Sequence, residues 1–95
     1  MSRIFQGKVV EIDASGNLVT DISAEDLAGA PRDASLRIAV DEHETFGLYP
    51  VDHHQPPLTL VAIADQTGAI RILLVDDSAS AMLGVCVGAP VVVQW

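Results

Sequence analysis

Three stretches of this chain gather side chains that could do chemistry. "DEHE" (41–44) and "DHH" (52–54) set His43, His53 and His54 among carboxylates, the donor types of a zinc or nickel site. Adjacent His53 and His54 project in different directions, so at most one of them would join His43. No HxH or HxxxH spacing falls on one regular element. The pattern reads as a solvated loop in which these three are the metal candidates, and no metal or other cofactor is expected. The paired Asp76 and Asp77 precede a short helical pattern and read as capping anions rather than as an acid–base pair. In "EIDASGNLVTDIS" (11–23), Asp13 and Asn17 bracket a tight turn through Gly16. Hairpin chemistry accounts for those residues, and so would one wall of a binding site.

Other chemistries find little footing. No hydrolase triad stands out, because serines, histidines and aspartates scattered through any chain can be combined into one. "GVCVGAP" has two glycines but no following Lys-Ser/Thr or helix signal, so it is no phosphate loop. Cys86, the single cysteine, excludes an internal disulfide and reads as a small core residue.

The elements that would position these residues are mostly strands. Residues 4–13 alternate, with Val10 and Ile12 on one face and Glu11 and Asp13 on the other. The chain turns at 13–17 and returns over 17–22 with Leu18, Thr20 and Ile22 together, a hairpin. Ser23 followed by Ala24-Glu25-Asp26 predicts one or two helical turns before Gly29 and Pro31. "SLRIAVDE" (35–42) turns Leu36, Ile38 and Val40 inward, and a further short strand is expected around 45–48. "LTLVAIAD" (58–65) and "AIRILLV" (69–75) are apolar on both faces and joined by a second hairpin turn. "DDSASAMLG" predicts a two-turn helix near 77–83, capped by Asp76 and Asp77 and stopped by Gly84. Pro90 should begin a last strand. These signals specify a mainly β fold: a small antiparallel β-barrel of five to seven strands with one or two short helices, in one domain over 1–95. Leu36, Ile38, Val40, Ile70, Ile72 and Leu74 should line its core.

Composition bounds the partners. The chain has 95 residues, 49% of them hydrophobic, and a formal net charge of -8. A polyanionic backbone or anionic membrane is repelled, and no Lys/Arg cluster offers a local exception, so no nucleic acid and no membrane partner is expected. No apolar run approaches the ~20 residues of a membrane span, and "MSRIFQGK" lacks a signal-peptide core, which makes a cytoplasmic location the default. So much apolar surface on so short a chain predicts a homo-oligomer, joined through the two-sided strands at 58–75.

Order and spacing across the chain add a family resemblance. "GKVVEIDASGNLVTDIS" resembles G-x-V-x-x-I-D-x-F-G-N-L-x-T-N-I, which opens the C-terminal domain of the S-adenosylmethionine hydroxide adenosyltransferases. These are the adenosine-forming hydrolases related to the fluorinase and chlorinase enzymes. "QTGAIRILLVDDSASAMLG" is similar to that domain's S-x-G-x-L-x-I-A-V-N-x-G-S-A-x-x-x-L-G, and Gly47-Leu48-Tyr49 stands where the family has a short aromatic-containing stretch. The resemblance covers about residues 5–95.

It implies a ligand-binding role for Asp13, Asn17, Tyr49 and Gln66. In the family the matching aspartate accepts hydrogen bonds from the methionyl ammonium, and the asparagine meets the adenine edge. The departures are Ser15 for an aromatic residue, Asp21 for asparagine, Gln66 for the serine that helps hold the substrate carboxylate, and Leu73, Val75 and Asp77 in the second motif. Scaffold positions match better than ligand positions. The family's catalytic residues lie in an N-terminal domain and nothing precedes Met1, so the chain is expected to be non-catalytic: a stand-alone interaction or oligomerisation module. The alternatives are a nucleoside-binding module that completes a composite site with a separate catalytic-domain partner, and a small metal-dependent enzyme.

Overall fold

The first hairpin and the last strand organise the fold. In a computed structural model, which describes residues 3–50 and 54–95, the elements are β1 (Ile4–Ile12), β2 (Leu18–Ser23), β3 (Arg37–Val40), β4 (His43–Phe46), β5 (Leu60–Ala64), β6 (Ala69–Leu74), α1 (Ala79–Leu83) and β7 (Pro90–Gln94). The strands form one sheet in the order β4-β3-β7-β1-β2-β6-β5, with antiparallel neighbours throughout. β1 joins the two halves of that sheet: Ile4 to Lys8 pair with β7, and Val9 to Ile12 with β2. A bulge lies between Val9 and Glu11, so Val9 is buried, Val10 is exposed and Ile12 packs on the core. The simple alternation that pairs Val10 with Ile12 is broken by that extra residue.

The sheet curls until its two edges meet. The Thr45 hydroxyl of β4 donates to the Leu60 carbonyl of β5 at 2.7 Å. Beyond Gly47, whose φ is +87°, the Tyr49 N–H donates to the Ala62 carbonyl and Tyr49 forms a parallel bridge to Ile63. The result is a nearly closed seven-stranded antiparallel barrel, which leaves little unpaired edge. Gly47 also explains why β4 spans His43–Phe46 rather than 45–48: after it the chain leaves β3 for β5.

All six expected core residues are buried, with Leu36, Ile38, Ile70 and Ile72 at 0% exposure. Val9, Leu18, Ile22, Val91 and Val93 complete the interior. On the outer side of β5, Val61, Ile63 and Val75 make a second cluster covered by Tyr49 and Leu73. The apolar outer face expected of β5 is therefore covered by the chain itself, while β6 alternates and puts Arg71 outward.

Three local expectations are corrected. Residues 24–29 form successive turns, not a helix. Ser23 and Asp26 exchange the capping bonds at 3.0 and 3.1 Å, but Gly29 and Pro31 leave too little chain for helix propagation, and i to i+3 bonds suffice. α1 is capped by Ser78, whose side chain accepts from the Ala81 N–H, because Asp76 takes φ +62° and Asp77 instead accepts from the Ser78 N–H. Cys86 is exposed in the turn before β7; Val85 takes the core position. Gly84 ends the helix in left-handed geometry as expected, and Pro90 opens β7. Among the described residues, no helix is long and apolar enough to cross a membrane.

Candidate functional site

Asp13 follows β1 with its side chain turned back over its own turn. One carboxylate oxygen accepts from the N–H groups of Ser15 at 2.9 Å and Asn17 at 3.0 Å. The other accepts from the Asn17 amide at 3.1 Å and from Arg71 Nη1 at 2.8 Å. Both carboxylate oxygens are thus doubly engaged within the chain. Burial works against the charge, but the Asn17 N–H, the Asn17 amide, the Ser15 N–H and the Arg71 cation together hold this carboxyl below its ordinary pKa.

The β5–β6 turn repeats the device. Asp65 Oδ1 accepts from the N–H of Thr67 at 2.8 Å, the N–H of Ala69 at 3.1 Å and the Thr67 hydroxyl at 2.6 Å, while Oδ2 accepts from Arg71 Nε at 2.6 Å. The Thr67 hydroxyl leads in lowering the Asp65 pKa to about 2, against burial, with Arg71 next. Arg71 in turn is held protonated, first by Asp65 and then by Asp13. One guanidinium on β6 therefore ties two hairpin turns together. The sequence carries the signal twice, as "DASG" and "DQTG", followed by a lone cation in the apolar "AIRILLV". Sequence reasoning missed both Asp65 and Arg71.

The first turn also leans on α1. The Gly16 carbonyl accepts from the Ser80 N–H at 2.9 Å, one of the helix-start donors without an intrahelical partner. The approach is close enough that a Cβ on Gly16 would overlap Ser78. Around this junction lie two clefts that share Asn17. One, of about 510 Å³, is lined by Ser15, Asn17, Leu73, Leu74, Asp76, Asp77 and Ser78. The other, of about 360 Å³, is lined by Asn17, Ile63, Asp65, Gln66, Thr67 and Arg71. Both volumes fall in the range of small-ligand sites.

The structure thus brings Asp13, Asn17 and Gln66 to one end of the barrel. Tyr49 stands one strand away, half-buried against Ile63 in the second cluster. His43 is elsewhere, with Nε2 3.1 Å from the Leu83 carbonyl at the end of α1. His54 is exposed, and His53 lies outside the described residues. Among the described residues, no group of three His, Cys, Asp or Glu is placed to hold a metal ion. Of the departures from the family pattern, Ser15, Leu73 and Asp77 line the first cleft and Gln66 the second. Asp21 is exposed and accepts from the Lys8 N–H at 2.9 Å; Val75 is buried in the second cluster.

A nearly closed antiparallel barrel, with two like turns and a capped helix gathered at one end, defines the class of domain. The chain belongs to the SAM hydroxide adenosyltransferase C-terminal domain family, whose model matches residues 7–92. No curated protein matches it. Among solved structures it is similar to an uncharacterized conserved protein from Thermotoga maritima, at a TM-score of 0.77 and 22% identity, covering 95% of this chain and 35% of that one. It is also similar to a conserved hypothetical protein from Thermus thermophilus, at a TM-score of 0.73 and 20% identity, covering 93% of this chain and 34% of that one. These structures share the fold, and this chain spans about a third of their length.

Proposed function

We propose that this barrel is a non-catalytic module that works by packing against other polypeptide, either a second copy or a separate catalytic-domain partner. The observation that carries the reading is the Asp13 carboxylate, whose oxygens are engaged by Ser15, Asn17 and Arg71 of the same chain. A group so committed is poorly placed to act as a general base or to receive a substrate cation. The family match supports the packing role, because it falls on a C-terminal domain, and similar barrels make up about a third of longer chains. Ile4, Val10, Phe46, Leu58, Met82 and Val87 are exposed apolar side chains available for such contacts.

Sedimentation equilibrium at rising protein and NaCl concentration tests self-association. Reversible association that strengthens with salt is expected, because copies carrying a net charge of -8 repel one another until screened. A monomer at every concentration and salt, also when mixed with a family N-terminal domain, would contradict the packing role.

A second reading rests on a different observation: Asn17 lies between two clefts of ligand size. There the barrel supplies one wall of a site for a nucleoside-like ligand, and a partner supplies the other. The altered cleft residues Ser15, Gln66, Leu73 and Asp77 then go with an altered ligand.

A further inference from the structure

Two carboxylates from different turns converge on one cation, and that cation belongs to the protein. Asp13 Oδ2 lies 2.8 Å from Arg71 Nη1, and Asp65 Oδ2 lies 2.6 Å from Arg71 Nε. The three side chains are 13–30% exposed, so the cluster borders the second cleft without being sealed from it. The remaining oxygen of each aspartate is taken by backbone N–H groups of its own turn, which fixes both carboxylates facing the guanidinium. Without Arg71, two preorganised anions would face an empty slot shaped for an N–H-bearing cation.

We propose that Arg71 is the residue that sets the charge class of ligand admitted at this end of the barrel: it fills the cation slot between Asp13 and Asp65, so that ammonium-bearing ligands are refused. A ligand entering the second cleft meets a slot already neutralised in part, and the Asn17 and Gln66 amides beside it. One cation between two carboxylates leaves a residual negative charge that also repels anions, so the admitted ligand is uncharged, recognised by amide hydrogen bonds over the apolar side chain of Ile63. This rests on the second reading above for the existence of a ligand, but not for the filled slot. An incoming ammonium would have to displace a bidentate partner that is tethered at high effective concentration.

The test uses amide NMR titrations of the wild-type chain, Arg71→Ala and Arg71→Lys. Methylguanidinium serves as the probe of the slot, and adenosine and S-adenosylmethionine as a neutral and a cationic nucleoside. In Arg71→Ala, methylguanidinium is expected to shift the Ser15, Asn17, Thr67 and Ala69 amides saturably, with a Kd on the order of 10 mM for so small a ligand. The wild type and Arg71→Lys should show no saturable shift at these amides. Saturable binding to the wild-type turns, or none to a folded Arg71→Ala chain, overturns the filled slot. If Arg71→Ala does not fold, Arg71→Met, which keeps most of the apolar stem, takes its place. In the nucleoside arm, wild-type Asn17 is expected to respond to S-adenosylmethionine no more strongly than to adenosine. A wild-type preference of roughly tenfold or more for the cation overturns the exclusion. If neither nucleoside moves the turn in any variant while methylguanidinium fills Arg71→Ala, the slot assignment stands and the nucleoside reading falls.

Discussion

In the turns at 13–17 and 65–69 an aspartate accepts from the N–H groups two and four residues on, and a glycine takes φ of +83° or +88°. Each aspartate gives its other oxygen to Arg71. Their surroundings differ. Gly16 is pressed against Ser78 and Ser80 of α1, whereas Gly68 has open space where a side chain would grow. The first turn ends in Asn17, which lines both clefts, and the second in Ala69, which lines neither. Like local chemistry thus leaves the first glycine wedged against the helix start, while the second, whose carbonyl accepts from the Ala24 N–H at 2.7 Å, keeps open space where a side chain would grow. The backbone of such a turn says nothing about ligands; what packs behind it and which side chain follows the glycine decide its use.

The largest contrast should come from adding a methyl group to each glycine. Gly16→Ala combines a strained positive φ with overlap at Ser78 and should cost about 3–5 kcal/mol in urea unfolding. Gly68→Ala meets only the dihedral penalty and should cost about 1 kcal/mol. Equal costs would mean that the α1 contact does not distinguish the turns.

Removing the shared cation should bring the two turns down together. Arg71→Met is expected to lose about 2 kcal/mol, with faster amide exchange in both turns. Acid unfolding sharpens the same point. Asp13 and Asp65 have folded pKa values below their ordinary 3.8, Asp65 at about 2, so the stability they contribute is present above about pH 4 and lost as pH falls toward 2. That acid loss should be shallower in Arg71→Met, because without the cation both folded values rise toward the unfolded ones. It should not vanish, since the Thr67 hydroxyl and the turn N–H groups remain. An unchanged acid profile would show that Arg71 does not hold the carboxylates.

The smallest stability effect is expected at Asn17. Asn17→Ala removes one partly buried hydrogen bond to Asp13 and should cost about 1 kcal/mol or less. It should nonetheless abolish whatever nucleoside-induced NMR shift the first turn shows. A large stability loss instead would make Asn17 a structural member of the turn.

Much of this architecture was legible because strand alternation is a local property. "SLRIAVDE" placed Leu36, Ile38 and Val40 in the core, and Gly84 and Pro90 marked a helix end and a strand start, all as found. What failed depended on context that no short window holds. The bulge after Val9 turned Val10 outward, and Gly47 cut β4 short to close the barrel. The 24–29 cap motif lacked room for a helix, and Cys86 was carried to the surface by the turn before β7. At the candidate site, Asp13, Asn17 and Gln66 are marked as ligand-binding by the family resemblance alone, and it is the pairing of the two hairpins that brings them to one end of the barrel. The commitment of Asp13 was not legible, because its partner Arg71 lies 58 residues away and reads, on its own, as a stray charge in an apolar strand.

Whether the barrel does chemistry is decided most directly by incubating it with S-adenosylmethionine and measuring adenosine and methionine by chromatography. A module whose site carboxylate is committed to its own arginine should release neither above the buffer control. Adenosine formed in proportion to protein, and lost in Asn17→Ala, would contradict that account.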